Sequence, residues 1–360
     1  MKLTRPRPLH SRPLVTVVVP CYNYARFLPA AVASALTQEG VDVEVIVVDD
    51  ASTDESLTVA NSLAATDARV KVVAHPHNRG HIATYNDGLA RAGGKYVTLL
   101  SADDLIAPGA LARAAALMEH NNRVGMVYGL PKDFSDPSTT PWPDTSPQRS
   151  TWTLWKGKSW IALACARGRN FILSPEVVMR TEAVLGIGAY NATLPHSGDL
   201  EYWLRAAAIW DVGRINGPVQ AYYRVHGANM HQTHFAAAAV DLQHRLDAFR
   251  VLEDPRFPVP AELRARQLHR AQRALGKEAT RLAYSELAHS GSTESATELR
   301  KFIETLHEMP GNIRKANAIQ AKITKASRGK RPSTGRAAAE YVHTQLDRVR
   351  WRLWAMTGIS

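Results

Sequence analysis

The chain predicts an α/β fold: a mostly parallel sheet flanked by helices, followed by a C-terminal helical appendage. Two observations predict it. Five short, continuously apolar runs alternate with helix-like segments through the first third of the 360 residues, as strands covered on both faces do. From Ala236 onward the β-branched runs vanish, and segments rich in alanine, leucine, arginine and glutamate take over.

The runs are Leu14–Val19, Val43–Val48, Val70–Ala74, Tyr96–Leu100 and Val124–Tyr128, with helices expected over Leu28–Gln38, Asp54–Ala65, His81–Ala92 and Gly109–His120. Gly93-Gly94 is a stop signal for the third helix. A β-α alternation of this kind builds a largely parallel sheet, and ligands sit beyond the carboxyl ends of its strands. Residues 131–160 break the pattern with five prolines and four tryptophans, so a long loop is expected there; the tryptophans need something to pack on or to bind. Strand-like Phe171–Met179 and Val219–Val225 flank a helix-like Leu200–Ile209. The chain then divides into a basic N-terminal extension (1–13), the main α/β domain (14–235), a helical domain (236–310), and a basic linker with an amphipathic helix (311–360).

The net charge of +11 belongs to the ends. Residues 1–13 carry four basic side chains and no acid. Residues 311–360 carry eleven against Glu340 and Asp347, a net of +9, while 14–310 sits near −2. A near-neutral body excludes a nucleic-acid-binding core. The basic ends suit an anionic surface or a solvated tail, and the N-terminal one reads as a partly disordered tail. Only Cys21 and Cys165 are present, which excludes a disulfide framework and fits a reducing compartment. No apolar stretch reaches the length of a membrane span. The chain reads as cytoplasmic, with an option of peripheral attachment at the inner membrane face. Over Arg336–Met356, Leu353 and Trp354 lie among Arg348, Arg350 and Arg352, a pattern shared by helices that lie on anionic membranes and by helices that pack on a sister subunit in a homo-oligomer.

No glycine-rich turn follows the first strand; Pro20-Cys21-Tyr22-Asn23-Tyr24 stands there, so the dinucleotide fingerprint is missing. Carboxylates stand at strand ends instead: Asp49-Asp50 after the second and Asp103-Asp104 after the fourth. Converging at one sheet edge they repel each other unless a cation or hydrogen-bond donors intervene. Hard oxygen ligands suit Mg²⁺ or Mn²⁺, and those suit a diphosphate. Aspartates at strand ends also cap helices, and Asp54 is placed to do so.

VVVPCYNYARFLPAAVASAL, VIVVDDASTDES, NRGHIATYNDGLARAGGKYVTLLSADDLIAPGAL and HSGDLEYWLRAA occur in that order, and together they resemble family 2 glycosyltransferases of the Rossmann-like GT-A fold over residues 14 to 230. The resemblance implies inverting, metal-dependent transfer from a nucleotide-sugar, most commonly UDP-linked, to an acceptor hydroxyl in glycan or polysaccharide biosynthesis. The acceptor is a saccharide, a lipid-linked sugar or a protein. It implies that Pro20, Tyr22 and Asn23 line the nucleotide site with Tyr22 stacked on the base, that Asp50 accepts the base's imide hydrogen, and that Arg79-Gly80 line the same pocket. Asp103 then faces ribose or metal, Asp104 the metal, and His226 in Tyr-Arg-Val-His the metal or diphosphate shell. Ser101 stands where the commonest family form has another aspartate. Asp199, opening a helix after Ser197-Gly198, is the candidate base, although an acidic residue at a helix N-terminus also serves stability. A nucleotidyltransferase would need a basic, glycine-rich loop after the first strand, which Pro20–Tyr24 is not. A nucleotide-sugar-binding protein of weak activity is the other alternative.

Overall fold

A computed structural model of the chain describes residues 1–135, 150–226, 238–290, 292–306 and 311–327. They fall into two compact units, the first made of Met1–Trp160 and Phe171–His226.

The first unit is built on one sheet. Its strands are β1 (Lys2–Thr4), β2 (Leu14–Cys21), β3 (Asp42–Asp49), β4 (Val70–Ala74), β5 (Tyr96–Leu99), β6 (Leu105–Ile106), β7 (Val124–Phe134), β8 (Thr151–Trp155), β9 (Val178–Arg180) and β10 (Asp211–Arg224). Their order is β1-β8-β10-β7-β9-β5-β2-β3-β4, with β6 pairing β10. β4, β3, β2 and β5 are parallel neighbours, as are β7 and β10; β9, inserted between β5 and β7, runs antiparallel to both. The α/β fold with a mostly parallel sheet and a C-terminal helical region is thus observed.

The continuous apolar runs have the reason given for them. Val15, Val17, Val18 and Val19 are all fully buried. Val17 and Val19 join the core formed with Leu28, Ala31, Val32 and Ala35 of α1 (Leu28–Leu36). Val18 faces the other way, against α3 (His81–Leu89), so closely that a Cβ on Gly88 would lie 2.2 Å from its Cγ1. Helices α2 (Ser56–Thr66) and α4 (Ala110–Glu119) complete the repeating pattern. The register then sets the site: Cys21 pairs with Asp49 and Val18 with Leu99, so the loops after β2, β3 and β5 leave one edge.

Several expectations are corrected. Residues 1–13 are tied down: β1 pairs β8, Arg12 reaches Asp42 at 3.0 Å, and His120 bonds the Pro8 carbonyl. The long loop is structured at both ends, because β7 runs on to Phe134 and β8 and α5 (Gly157–Arg167) follow; residues 136–149, with Trp142, lie outside the described residues. Trp152, Trp155 and Trp160 are buried, so they pack. Phe171–Met179 is a 3-10 turn, Ser174–Glu176, leading into β9. Within the expected linker, Asn312–Ala326 is a helix.

α6 (Thr181–Ile187) and α7 (Gly198–Ile209) belong to the first unit. The second is helical: α8 (Ala238–Phe249), α9 (Ala261–Ser285), α10 (Thr293–Thr305) and α11 (Asn312–Ala326), with residues 161–170. Its α8 is fastened to α9 by Arg245, which meets Glu278 at 3.0 Å and donates to the Gly168 carbonyl. Among the described residues no helix is long and apolar enough to cross a membrane. Arg336–Met356, assigned above to a membrane or oligomer contact, lies outside them.

Candidate functional site

The loops after β2 and β3 are interlocked. Asn23 turns left-handed (φ 59°), a conformation asparagine tolerates. Its Oδ1 accepts from Thr53 N at 2.8 Å and Asp54 N at 3.3 Å, while its own N–H donates to Ser52 Oγ at 3.0 Å. Asp54 accepts from Ala25 N at 3.1 Å and from both Ser56 N and its hydroxyl. Asn23 therefore has a scaffolding task, and Tyr22 beside it is left 44% exposed on the rim of the edge. Pro20, partly buried, pairs with Val48, one step before the parallel register ends at Cys21 and Asp49.

Asp50 is buried beneath that rim and organises the next loop. Its Oδ1 accepts from Arg79 N at 2.8 Å and from His75 Nδ1 at 2.7 Å; its Oδ2 accepts from Gly80 N at 2.9 Å. Burial opposes its charge, but His75 and the two backbone N–H groups outweigh it and hold the carboxyl below its ordinary value. Gly80 has φ 82° and ψ 157°, a region closed to side chains, which is what aims its N–H at Asp50 while opening α3. The other ring nitrogen of His75 meets Asp87 at 2.9 Å, and Arg79 Nη1 lies 3.8 Å from the same carboxylate. His75 and Asp87 were not singled out in the sequence. The available signal was position: His75 directly follows β4, where the other strands carry their polar site residues.

After β5, a turn closed by Asp104 N to Ser101 O (3.0 Å) carries the second carboxylate pair. Asp103 Oδ2 meets His226 Nε2 at 2.8 Å. Asp104 Oδ1 accepts from Arg224 N at 2.8 Å, and Arg224 Nε donates to the Asp103 carbonyl. The Arg224 guanidinium lies over Phe27 and Phe134, 4.6 and 4.3 Å from their ring centres. The end of β10 thereby grips the turn, and Asp103, Asp104 and His226 come together. Asp104 Oδ2 is buried without a hydrogen bond. Burial first, and Asp103 second, push this carboxyl well above its ordinary value. Neighbouring Tyr24 is pushed up to about 12 by burial and by the same two aspartates.

An oxygen so placed is what a cation would satisfy. Among the described residues no three His, Cys, Asp or Glu side chains form a metal-holding cluster. Mg²⁺ and its kin are, however, commonly held by one or two carboxylates and completed by substrate phosphates. The residues fit a divalent ion of that kind, with His226 bonded to Asp103.

Asp199 is the second residue of α7 and does not cap it: Ser197 makes no side-chain cap bond, and Asp199 Oδ2 accepts from Ser174 Oγ at 2.6 Å. Although the residue is half-buried, its Oδ1 is shielded from solvent and unbonded. Tyr190 faces this carboxyl and favours its charged form, yet no hydrogen bond of ordinary geometry joins them. Burial raises the carboxyl above its ordinary value against Ser174, Tyr190 and His81, which lower it. Tyr85, on α3, links the two ends of the edge: burial pushes its hydroxyl up, and Asp199, Asp103 and Asp104 add to that in turn. A small apolar cavity touches Ser174 and Tyr190, but none of Asp50, Asp103 and Asp104 lines it, so it is not where these carboxylates act.

The profile of glycosyl transferase family 2 matches residues 16–177, from β2 through the Ser174–Glu176 turn. An uncharacterized glycosyltransferase of Nostoc sp. is 30% identical over 236 residues, 64% of this chain and 69% of that one. The chain belongs to glycosyl transferase family 2. Solved structures show the fold of this glycosyltransferase to be GT-A. Residues 1–349 of S. aureus TarS, in complex with UDP-GlcNAc, superpose with a TM-score of 0.62 at 16% identity, over 88% of this chain and 92% of that one. The mannosyltransferase PcManGT from Pyrobaculum calidifontis, in complex with GDP-Man and Mn²⁺, gives 0.52 at 21% identity over 90% and 88%. Other curated relatives are matched over less than half of their own length.

Proposed function

We propose that the glycosyltransferase moves a sugar from a uridine diphosphate donor to an acceptor hydroxyl with inversion, assisted by Mn²⁺ or Mg²⁺, in glycan or polysaccharide assembly. The observation that carries the reading is the Asp199 carboxyl: one oxygen held, the other shielded and unbonded, with its affinity for a proton raised. A general base needs that combination. The acceptor's hydroxyl proton passes to Asp199 as its oxygen bonds to the anomeric carbon, and the bond to the diphosphate breaks with its electron pair leaving on the diphosphate oxygen. One displacement by one base inverts the centre.

Asp103 and Asp104 would hold the cation, with His226 orienting Asp103; when bound, it supplies positive charge to the leaving diphosphate. Tyr22 offers a half-exposed ring to a base, and Arg79 a cation on the same rim. Uridine is supported by Asp50's remaining capacity. A carboxylate offers about four acceptor positions, and three are used by His75, Arg79 N and Gly80 N. One imide N–H can be received, whereas the paired N–H groups of guanine need two. TarS in its UDP-GlcNAc complex points the same way, and PcManGT with GDP-Man is the contrast.

Thermal shift with UDP and GDP, each with and without Mn²⁺, tests this. Stabilisation by UDP with Mn²⁺ is expected, and GDP stabilising more would overturn the donor. Release of UDP from UDP-N-acetylglucosamine should stop in excess EDTA; full turnover there would remove the metal from the mechanism.

A further inference from the structure

We propose that Ser174 is a positioning residue for Asp199, binding Oδ2 so that Oδ1 alone receives the acceptor's proton. The proposal rests on the reading of Asp199 as base. Its ground is how the fold fixes both partners while leaving one carboxyl oxygen without a hydrogen bond. Ser174 begins the 3-10 turn between α5 and β9, and that turn is stapled from beneath by Glu176. Glu176 Oε1 accepts from Leu173 N at 2.8 Å, and its Oε2 from Gly129 N of β7 at 3.2 Å. Thr98 Oγ1, from β5, donates to the Val177 carbonyl at 2.7 Å on the turn's other side. The Ser174 hydroxyl is therefore carried on two strands of the sheet, and it donates to a carboxylate 25 residues further along the chain.

Tyr190 is fixed as firmly. Its N–H donates to Asn86 Oδ1 at 2.7 Å, its carbonyl accepts from Asn86 Nδ2 at 3.1 Å, and its ring stacks on Tyr202 at 3.9 Å between centres. Yet its hydroxyl makes no hydrogen bond. A carboxylate serving stability alone would have both oxygens satisfied, since an unpaired buried acceptor costs about 1–3 kcal/mol. Asp199 has one bond of ordinary geometry, from a fixed donor, and Tyr190, His81 and Tyr85 are the titratable groups that interact with its carboxyl. During transfer the Ser174 proton stays on Oγ; only the acceptor's proton moves. A hydroxyl donating to the charged form favours that form, so Ser174 also works against the burial that raises the Asp199 carboxyl.

The test uses the full chain labelled with ¹³C at aspartate carboxyls. The Asp199 resonance, assigned by its loss in Asp199→Asn, is titrated in wild type, Ser174→Ala and Ser174→Thr. Turnover of UDP-N-acetylglucosamine with Mn²⁺ is followed against pH in parallel. Ser174→Ala should raise the Asp199 midpoint by about one unit, move the acid limb of kcat up with it and lower kcat about tenfold or more. KM should stay within about twofold, and threonine should restore all three. An unmoved midpoint in folded Ser174→Ala overturns the proposal, as does a loss that threonine does not rescue. If Ser174→Ala does not fold, Ser174→Cys takes its place: a smaller shift in the same direction supports the role and no shift overturns it. Asp199→Asn with full turnover would overturn the base assignment itself, whatever the Ser174 midpoint.

Discussion

Asp50 and Asp199 are aspartates at the same sheet edge with opposite surroundings. Asp50 collects three donors on two oxygens and is held charged, below its ordinary value. Asp199 has one donor, one bare oxygen, and a value raised by burial. Burial pushes both the same way, so the number of donors decides the sign. The Asp50 end is a fixed anion that shapes a loop; the Asp199 end is the carboxyl that, on the function proposed above, takes a proton.

The largest effect should come from breaking the poised end. Asp199→Asn is expected to cut turnover on the order of 10²–10⁴-fold while leaving UDP affinity unchanged, because a base acts in the transition state. Steady-state kinetics beside calorimetric UDP titration checks both halves. Unchanged turnover would place the base elsewhere.

The fixed end should instead fail as structure. Asp50→Ala strips the acceptor from His75, Arg79 N and Gly80 N at once, and removing one partner of a buried pair costs about 3–5 kcal/mol. Urea denaturation should show a loss of roughly that size with donor binding lost too. A loss under about 1 kcal/mol would mean the loop does not depend on Asp50.

What could be read from the chain divides along the same line. The sheet, the carboxylate pairs after β3 and β5 and the placing of Asp199 at a helix start were legible because each is carried by contiguous residues: an apolar run, a polar pair, a helix start. The groups that set the two carboxyls apart were not. His75 reaches Asp50 across 25 residues and Ser174 reaches Asp199 across another 25, and nothing local in Ala-His-Pro-His or Leu-Ser-Pro-Glu announces those bonds. β1 was missed for a related reason. Three residues beside arginines and prolines have no strand pattern of their own; Trp152, Thr153 and Leu154 of β8 supply it by pairing.

Glu176 sharpens the comparison through pH. Burial drives its carboxyl up to about 8, against the two backbone N–H groups and Arg214, which lower it. The unfolded chain ionises near the ordinary 4.5 while the folded one stays neutral. Stability is therefore fully present below that value and lost as pH rises towards 8, at about 1.4 kcal/mol per unit for one group. Asp50 has the opposite sign: its lowered value gives stability above the ordinary 3.8 that is lost as pH falls through the folded value. In urea melts at pH 5 and pH 8, wild type should lose ground to Glu176→Gln on going to pH 8. A constant difference would show that Glu176 is ionised throughout.

The smallest effect concerns what the fixed end costs the backbone. Ala51, immediately after Asp50, is held at φ 55°, where a side chain with Cβ is disfavoured by about 1–2 kcal/mol. The conformation is imposed from both sides. Asp50 N–H bonds the Cys21 carbonyl at 2.9 Å, and Ser52 N–H bonds Asp49 Oδ2 at 3.1 Å, so the chain must reverse between them. Ala51→Gly removes the clash but adds freedom to the unfolded chain worth about 0.5–1 kcal/mol. The net gain should be under about 1 kcal/mol, visible as a higher denaturation midpoint with UDP affinity preserved. No comparable backbone strain is recorded at Ser174 or Asp199 among the described residues. If glycine destabilises instead, the left-handed turn is being held by the alanine methyl's packing, and the Asp50 end is less strained than its dihedral angle implies.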